Sequence, residues 1–295
     1  MIDLSIIIVS YNTKSFLKNC ISSAFNQRPK GLNMEVIVVD NGSTDGSVQL
    51  LENEFPNIKL IKNKENFGFS KANNIGVKKA EGRYLLFLNS DTVIYEKVFE
   101  TMVKFMDEHK DAGAATCKVI LPSGLLDDAS HRGFPTPWNS FSHFSNLSKI
   151  FPKTKIFGGY NLSWMNLEKT HQIDACCGAF IIVRRKAGDE IEWWDEDYFW
   201  YGEDLDFCYK LKEKGWKVYF VPQVSVLHYK GVSGGIKSIS KHLTNATKET
   251  KIKATKARFQ AMRIFYKKHY EKVYPKIVSN LVSLGISLKE KSVLQ

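Results

Sequence analysis

Four stretches of this 295-residue chain place chemistry-bearing side chains at the ends of apolar runs or among aromatic residues. Ser10-Tyr11-Asn12 follows the run Leu4–Val9, and Asp40-Asn41-Gly42-Ser43-Thr44-Asp45-Gly46 follows Met34–Val39. A carboxylate at a strand's carboxyl end, followed by a Gly/Ser/Thr turn, can accept a hydrogen bond from a base or ribose, and Tyr11 can stack on the ring. Asp45 or Ser43 alone reads more simply as a helix cap. Asp40 precedes the turn, so capping explains it less well. Asn89-Ser90-Asp91-Thr92 follows Tyr84–Leu88, and one carboxylate there suits a divalent ion that completes its shell with phosphates and water; taken alone, Asn-x-Asp is more simply a turn. The fourth stretch, residues 189–206, carries nine carboxylates among Trp193, Trp194, Tyr198, Phe199, Trp200 and Tyr201. Glu203, Asp204 and Asp206 open a helix, where the macrodipole favours negative charge by about 0.3–1 kcal/mol. That accounts for Glu203 and Asp206 as well as a chemical role does, and pairing with basic residues of the tail is a further structural explanation.

These segments need elements to position them. Short continuous apolar runs at Leu4–Val9, Met34–Val39, Ile58–Ile61, Tyr84–Leu88 and Ala114–Ile120 read as strands buried on both faces. Helix-like stretches lie between them, at about residues 14–26, 45–55, 69–80 and 95–109. Such alternation predicts an α/β fold with a mostly parallel sheet flanked by helices, and ligands then bind beyond the carboxyl ends of the strands. From about 121 to 171 the pattern gives way to an irregular Pro-, Ser- and aromatic-rich stretch, as expected of a substrate loop. Regular structure is expected again at 173–183, in a helix at about 203–214 and in a strand at 217–221. A long helix is expected at about 245–273, with a short one after Pro275.

Composition excludes several classes. Apolar residues make up 43% and charged residues 25%, which rules out wholesale disorder. Cys20, Cys117, Cys176, Cys177 and Cys208 fit neither a disulfide scaffold nor a CxxC zinc site, so reduced thiols are expected. The chain opens without a signal-peptide pattern, and its longest mainly apolar stretch near the C-terminus, residues 277–288, is too short to span a bilayer. A cytoplasmic protein is expected, with peripheral contact to the inner face of the membrane as an open extension. The last 60 residues hold 14 basic and 3 acidic side chains, so the whole net charge of +11 resides there. A neutral body argues against a nucleic-acid groove. No GxGxxG or GxxxxGK[ST] loop occurs.

Read together, the segments resemble the family 2 glycosyltransferases of the GT-A fold. The resemblance is carried by Ser5–Asn12, Val38–Ser47, Asn66-Phe67-Gly68-Phe69-Ser70-Lys71-Ala72-Asn73-Asn74-Ile75-Gly76 and Leu88-Asn89-Ser90-Asp91. It continues in Cys177-Gly178-Ala179-Phe180 with Arg184-Arg185, in Tyr201-Gly202-Glu203-Asp204-Leu205-Asp206, and in His228 with Ser233. It spans roughly residues 3–235 and is similar above all to the bacterial rhamnosyltransferase-type branch that builds surface polysaccharides. The resemblance implies that Tyr11, Asp40, Lys71 and Asn89 hold a nucleoside-diphosphate sugar. It implies Asp91 and His228 as ligands of Mn²⁺ or Mg²⁺, although Asn89 stands where many members carry the first Asp of Asp-x-Asp. Asp204 becomes the catalytic base, with Glu203 and Trp200 beside it as candidate sugar contacts. Arg132, Asp127, Asp128 and Trp138 of the irregular loop are further candidates by position alone.

The implied organisation is a nucleotide-binding half at 1–120, an acceptor and metal half at 121–235 and a basic helical tail at 236–295. The implied reaction is inverting transfer from a donor such as dTDP-rhamnose or a UDP-sugar to a glycan or lipid-linked acceptor. One base and one metal site suffice for it, because a neutralised diphosphate leaves without a general acid. A glycosidase would instead need two carboxylates flanking the bond. A nucleotidyltransferase or a non-catalytic carbohydrate-binding protein are the remaining alternatives. In the tail, Ala254, Ala257, Met262, Phe265, His269 and Val273 recur at helical spacing among lysines. Two readings stay open: a basic amphipathic helix on an anionic membrane, or a helix packed on the body.

Overall fold

The computed structural model describes residues 1–236, 244 and 246–294; the remaining positions of the basic tail, 237–243, 245 and 295, lie outside the described residues. The first half alternates as expected: β1 (Leu4–Ser10), α1 (Lys14–Asn26), β2 (Met34–Asp40), α2 (Ser47–Glu54), β3 (Lys59–Lys62), α3 (Phe69–Val77), β4 (Tyr84–Asn89), a short β5 (Thr92–Ile94), α4 (Val98–Glu108) and β6 (Ala112–Ile120). Alternate side chains of the central strands enter two separate cores. Ile6, Ile8, Val36 and Val38 pack against α1, α2 and α4 on one face, whereas Ile7, Ile37, Val39 and Phe87 pack against α3 and later helices on the other. Burial on both faces is why these strands read as unbroken apolar runs.

The second half comprises a single 3₁₀ turn at Asp128–Ser130, α5 (Pro137–Phe144), α6 (Leu147–Ile150), β7 (His171–Ile173), β8 (Phe180–Arg184), α7 (Arg185–Glu190), α8 (Glu203–Glu213) and β9 (Lys217–His228). Two helices therefore stand in the stretch expected to be irregular. The first has an ordinary start: the Thr136 side chain accepts from Asn139 N and Pro137 occupies the first turn. The strand order is β3-β2-β1-β4-β8-β6-β9-β5, with β7 also on β9. β1, β2, β3, β4, β6 and β9 run the same way and β5, β7 and β8 oppose them, so the sheet is mixed but mostly parallel. One sheet thus passes through both expected halves.

Two strand registers place the polar residues at the sheet's end. Ser10 stands opposite Asp40 and Val9 opposite Asn89, so three strands end at one level. β9 was expected to stop at Val221, before Pro222. Instead the ladder with β6 slips between Cys117–Val221 and Lys118–Ser225, and the strand continues to His228. A proline, which cannot donate to the ladder, is tolerated at such a bulge.

The tail forms α9 (Lys248–His269) and α10 (Lys276–Leu294). α9 buries Ala254, Phe259, Ala261 and Phe265, so its apolar stripe faces the body. The expected stripe was right at Ala254 and Phe265 and wrong at Val273, which is exposed. At its C-terminal end Lys268 pairs with Asp195 and Asp197, and His269 Nε2 lies 2.7 Å from Asp206 Oδ1. Tail cations do pair with the acidic segment. α10 is 19 residues long instead of short, and none of its residues is buried. The five cysteines are buried and unpaired.

Gly68 shows how closely the acidic segment sits on the nucleotide half. Its φ is +84°, and a Cβ there would lie 2.6 Å from the Phe199 carbonyl oxygen, which already accepts from Phe69 N at 3.0 Å. Gly68→Ala should destabilise the protein by about 1–3 kcal/mol, read as a lower urea midpoint. An unchanged midpoint would show that residues 199–202 dock by other contacts.

Candidate active site

A cavity of about 1250 Å³ opens over the carboxyl ends of β1, β4 and β9. The register brings Tyr11, Asn89 and Asp91 to its floor, and α8 delivers Glu203 and Asp204 from the side. The chain enters α8 through two left-handed residues, Tyr201 (φ 72°) and Gly202 (φ 83°), which turn the first helical residues toward the cavity. Trp200 and Tyr201 stack with centroids 5.9 Å apart and form part of the wall.

His228 is the centre of a buried ionic row. β5 pairs antiparallel with β9, setting Thr92 opposite His228, and Tyr229 N donates to Asp91 O at 3.0 Å. This pairing places His228 Nε2 3.2 Å from Asp91 Oδ1 and 3.3 Å from the Asn89 side-chain amide. On the other side His228 Nδ1 lies 3.3 Å from Asp127 Oδ2, and Asp127 also pairs with Lys230. Burial works against a charged imidazole, but the two carboxylates outweigh it and push His228 up to about 9. Burial likewise opposes the Asp127 charge, yet His228 and Lys230 hold that carboxyl well below the usual range.

The second cluster is built around α8. Arg132 Nη2 lies 2.7 Å from Asp204 Oδ2. The pair is mainly Coulombic, because that nitrogen makes no aligned hydrogen bond. Asp204 Oδ1 accepts from Leu205 N at 2.8 Å. Beside it, burial and the neighbouring Asp204 charge push Glu203 up to about 8, against the pull of its own backbone N–H and Arg132, and its Oε2 is buried without a partner.

The structure thus gathers Tyr11, Asn89, Asp91, Arg132, Trp200, Glu203, Asp204 and His228 around one cavity. Asp40 lies buried beside it. Its Oδ1 accepts from Ser43 N at 2.9 Å, and its Oδ2 is a buried acceptor without a partner. Lys71 is not brought to the cavity: it is exposed on α3, with its ammonium 4.7 Å from the Phe67 ring centroid. Asp127, expected among loop contacts, instead braces His228. Lys230 escaped the sequence reading, as did the place of α10, expected only as a short helix, in the cavity wall with Val278, Leu281 and Ile286. A lysine two residues after His228 carries no signal until Asp127 is known to face it.

The donor set bears on a divalent cation. Among the described residues no group of three or more His, Cys, Asp or Glu side chains is spaced to hold a metal. Asp91 and His228 nevertheless stand adjacent as an oxygen and a nitrogen donor, the imidazole becoming a ligand once an ion displaces its Nε2 proton, and Asp127 on Nδ1 would be the outer carboxylate that orients it. Two protein donors fit an ion that takes its remaining ligands from substrate phosphates and water.

A mostly parallel sheet with a cavity at its strand ends, an Asp/His pair on the polar floor and a carboxylate at the side is the arrangement of the GT-A fold. Residues 5–192 match the family model "Glycosyl transferase family 2", and the chain belongs to that family; it is a glycosyltransferase. The minor teichoic acid biosynthesis protein GgaB of Bacillus subtilis is 31% identical over 182 residues, which are 61% of this chain but 18% of that protein. The N-acetylglucosaminyl-diphospho-decaprenol L-rhamnosyltransferase of Mycobacterium tuberculosis is 26% identical over 263 residues, covering 84% of this chain and 83% of its own. Among solved structures, S. aureus TarS 1–349 in complex with UDP-GlcNAc superposes with a TM-score of 0.59 at 18% identity, over 95% of this chain and 70% of that one, and supports the GT-A fold.

The state of Glu203 has a measurable consequence. Its folded pKa, about 8, lies above the ordinary 4.5, so the folded state retains a proton that the unfolded chain releases. Stability from this group is full below the unfolded value and falls as pH rises toward 8. Glu203→Gln should therefore melt near the wild type at pH 5 and increasingly above it toward pH 8. Parallel melting curves across that range would show that Glu203 does not titrate there.

Proposed function

We propose that the chain transfers a sugar, with inversion, from a nucleoside-diphosphate donor to a hydroxyl of a glycan or lipid-linked acceptor, with a divalent cation at Asp91 and His228. The observation that carries this is the convergence on one cavity of the Asp91–His228 pair and the Asp204 carboxylate. L-rhamnosyl transfer to a diphosphate-linked polyprenol, as named for the mycobacterial relative, supports dTDP-rhamnose and a lipid-linked acceptor. The UDP-GlcNAc in TarS keeps a UDP-sugar as the other donor.

In this reading the nucleobase lies against Tyr11, next to Asp40, whose buried Oδ2 has no protein partner. Asn89 supports the donor at the end of β4. The bound cation would neutralise charge developing on the leaving diphosphate. Asp204 accepts the acceptor hydroxyl's proton while that oxygen bonds to the anomeric carbon and the anomeric C–O bond to the diphosphate breaks. A single displacement by one carboxylate-activated oxygen inverts the centre. Arg132 fixes Asp204 in place, and Glu203, protonated at neutral pH, presents an O–H to the sugar. Trp200 offers an aromatic face to a sugar ring.

Asp204→Asn keeps the shape and removes the proton acceptor. It should retain nucleoside-diphosphate affinity and lose about 10²–10⁴-fold in turnover. Near-normal turnover would move the base to another carboxylate, Glu203 first.

Asp91→Ala should abolish stimulation by Mn²⁺ or Mg²⁺ and weaken donor binding measured with the metal present. Full activity of the chelator-treated wild type would remove Asp91 and His228 from a metal role.

A further inference from the structure

The rim of the cavity differs from the rest of the surface. Residues 129–167 contain no Asp or Glu but carry Arg132, Lys149, Lys153 and Lys155. In the same stretch Trp138, Phe141 and Phe144 of α5 are exposed, and so are Ile150 (64%), Phe151 (46%) and Ile156 (64%). These side chains form one patch. Trp138 Nε1 donates to Ile156 O at 2.8 Å, the Trp138 ring lies 5.8 Å from Phe141 and 6.0 Å from Phe157, and Phe157 lies 5.2 Å from Phe151. Beside the same cavity, α10 exposes Ile277, Leu281, Leu284 and Leu288, whose spacings of four, three and four place them in one stripe. Trp138 and Phe141 on one side and Leu281 and Leu288 on the other also line the cavity, so the patch and the stripe border one opening.

We propose that α5, the segment through Ile156 and the apolar stripe of α10 dock onto an anionic lipid bilayer, with the cavity opening against the membrane. The proposal rests on the lipid-linked-acceptor reading and adds the surface by which such an acceptor arrives. Large aromatic and aliphatic side chains interleaved with lysines suit the interfacial zone of a bilayer. Charge selects the occupant: a two-fold contact with a second copy would bring this carboxylate-free lysine patch onto itself, whereas an anionic leaflet neutralises it. The apolar cavity wall continues from the same helices, so a lipid chain can stay in contact with apolar surface while its head group reaches the polar floor. α9, the helix whose lysines first suggested membrane contact, turns its stripe into the core. Among the described helices none is long and apolar enough to cross a membrane, so docking of this kind is interfacial.

Co-sedimentation of the full chain with phosphatidylglycerol/phosphatidylcholine vesicles tests the proposal, with pure phosphatidylcholine vesicles for comparison. The wild type should bind the anionic vesicles at low salt and release as salt rises. Ile150→Glu/Phe151→Glu/Ile156→Glu, at positions outside the cavity lining, should lose vesicle binding while keeping nucleoside-diphosphate affinity and melting temperature. Lys149→Gln/Lys153→Gln/Lys155→Gln is an independent arm that leaves the apolar side chains in place. Each lysine near an anionic leaflet is worth about fivefold in binding, so this variant should lose about a hundredfold. Absence of wild-type binding at low salt, equal binding to neutral vesicles, or triple variants that bind like the wild type would each overturn the proposal. So would a wild-type dimer that the glutamate variant dissociates, which would assign the patch to a second copy. Vesicle binding without transfer to a lipid-linked acceptor would instead reject the functional reading and leave the docking surface standing.

Discussion

The site depends on one buried imidazole held between two carboxylates. His228 reaches Asp91 through one ring nitrogen and Asp127 through the other, and Lys230 closes the row on the far side of Asp127. Four charged groups at this depth are tolerable only together, since an unpaired buried charge costs several kcal/mol. Several features of the second half serve this row. β5 exists as three residues paired to the end of β9, and the loop after β6 folds back so that Asp127 N donates to Val119 O at 2.8 Å. Asp127 also starts the 3₁₀ turn, accepting from Ala129 N. The ionic row and the strand pairing are therefore coupled, because losing either carboxylate leaves the imidazole unbalanced on that side.

A second set of contacts makes the C-terminal helices part of the catalytic body. Asp206 lies on the buried side of α8, within reach of the Tyr198 hydroxyl at 3.2 Å and His269 at 2.7 Å. Lys268 reaches the same acidic segment at Asp195 and Asp197. The face of α8 opposite its cavity-lining carboxylates is thereby anchored by α9. The acidic run divides accordingly: Asp195, Asp197 and Asp206 hold structure, whereas Glu203 and Asp204 face the cavity.

Sequence legibility followed the reach of each signal. β1, β2 and β4 were readable because two-sided burial forces continuous apolar runs, and the polar residues after them were readable as ligands because parallel strands end together. β9 was cut short at Pro222, a local signal that the bulge overrides through pairing with β6 and β5. α5 and α6 were hidden because their Trp, Phe and Ser residues carry no inward-facing apolar stripe; much of that face is exposed. Asp127 stands out only by its position in the loop, and its role depends on partners 101 and 103 residues away. Lys71 looked like a wall of the nucleotide site from its motif, and the backbone places it on the outer side of α3.

The bulge at Pro222 gives β9 the character of a phase element. Up to Val221 the strand keeps step with β6 at one offset, and from Ser225 it keeps step at another. Because side chains alternate between faces with a period of two, the parity of the residues absorbed between these points decides which side chain arrives at the cavity. With one residue fewer Tyr229, and with one more Leu227, would stand where the imidazole stands now, and a phenolic or apolar side chain would face Asp91 and Asp127. Changes by two residues preserve the face and shift only the distance along the strand. Parity thus sets the face, and the exact count sets the reach, because two residues move the imidazole about 6.6 Å along the strand, away from Asp91 and Asp127. It is a counting rule imposed by sheet geometry on a segment whose own side chains lie outside the cavity lining.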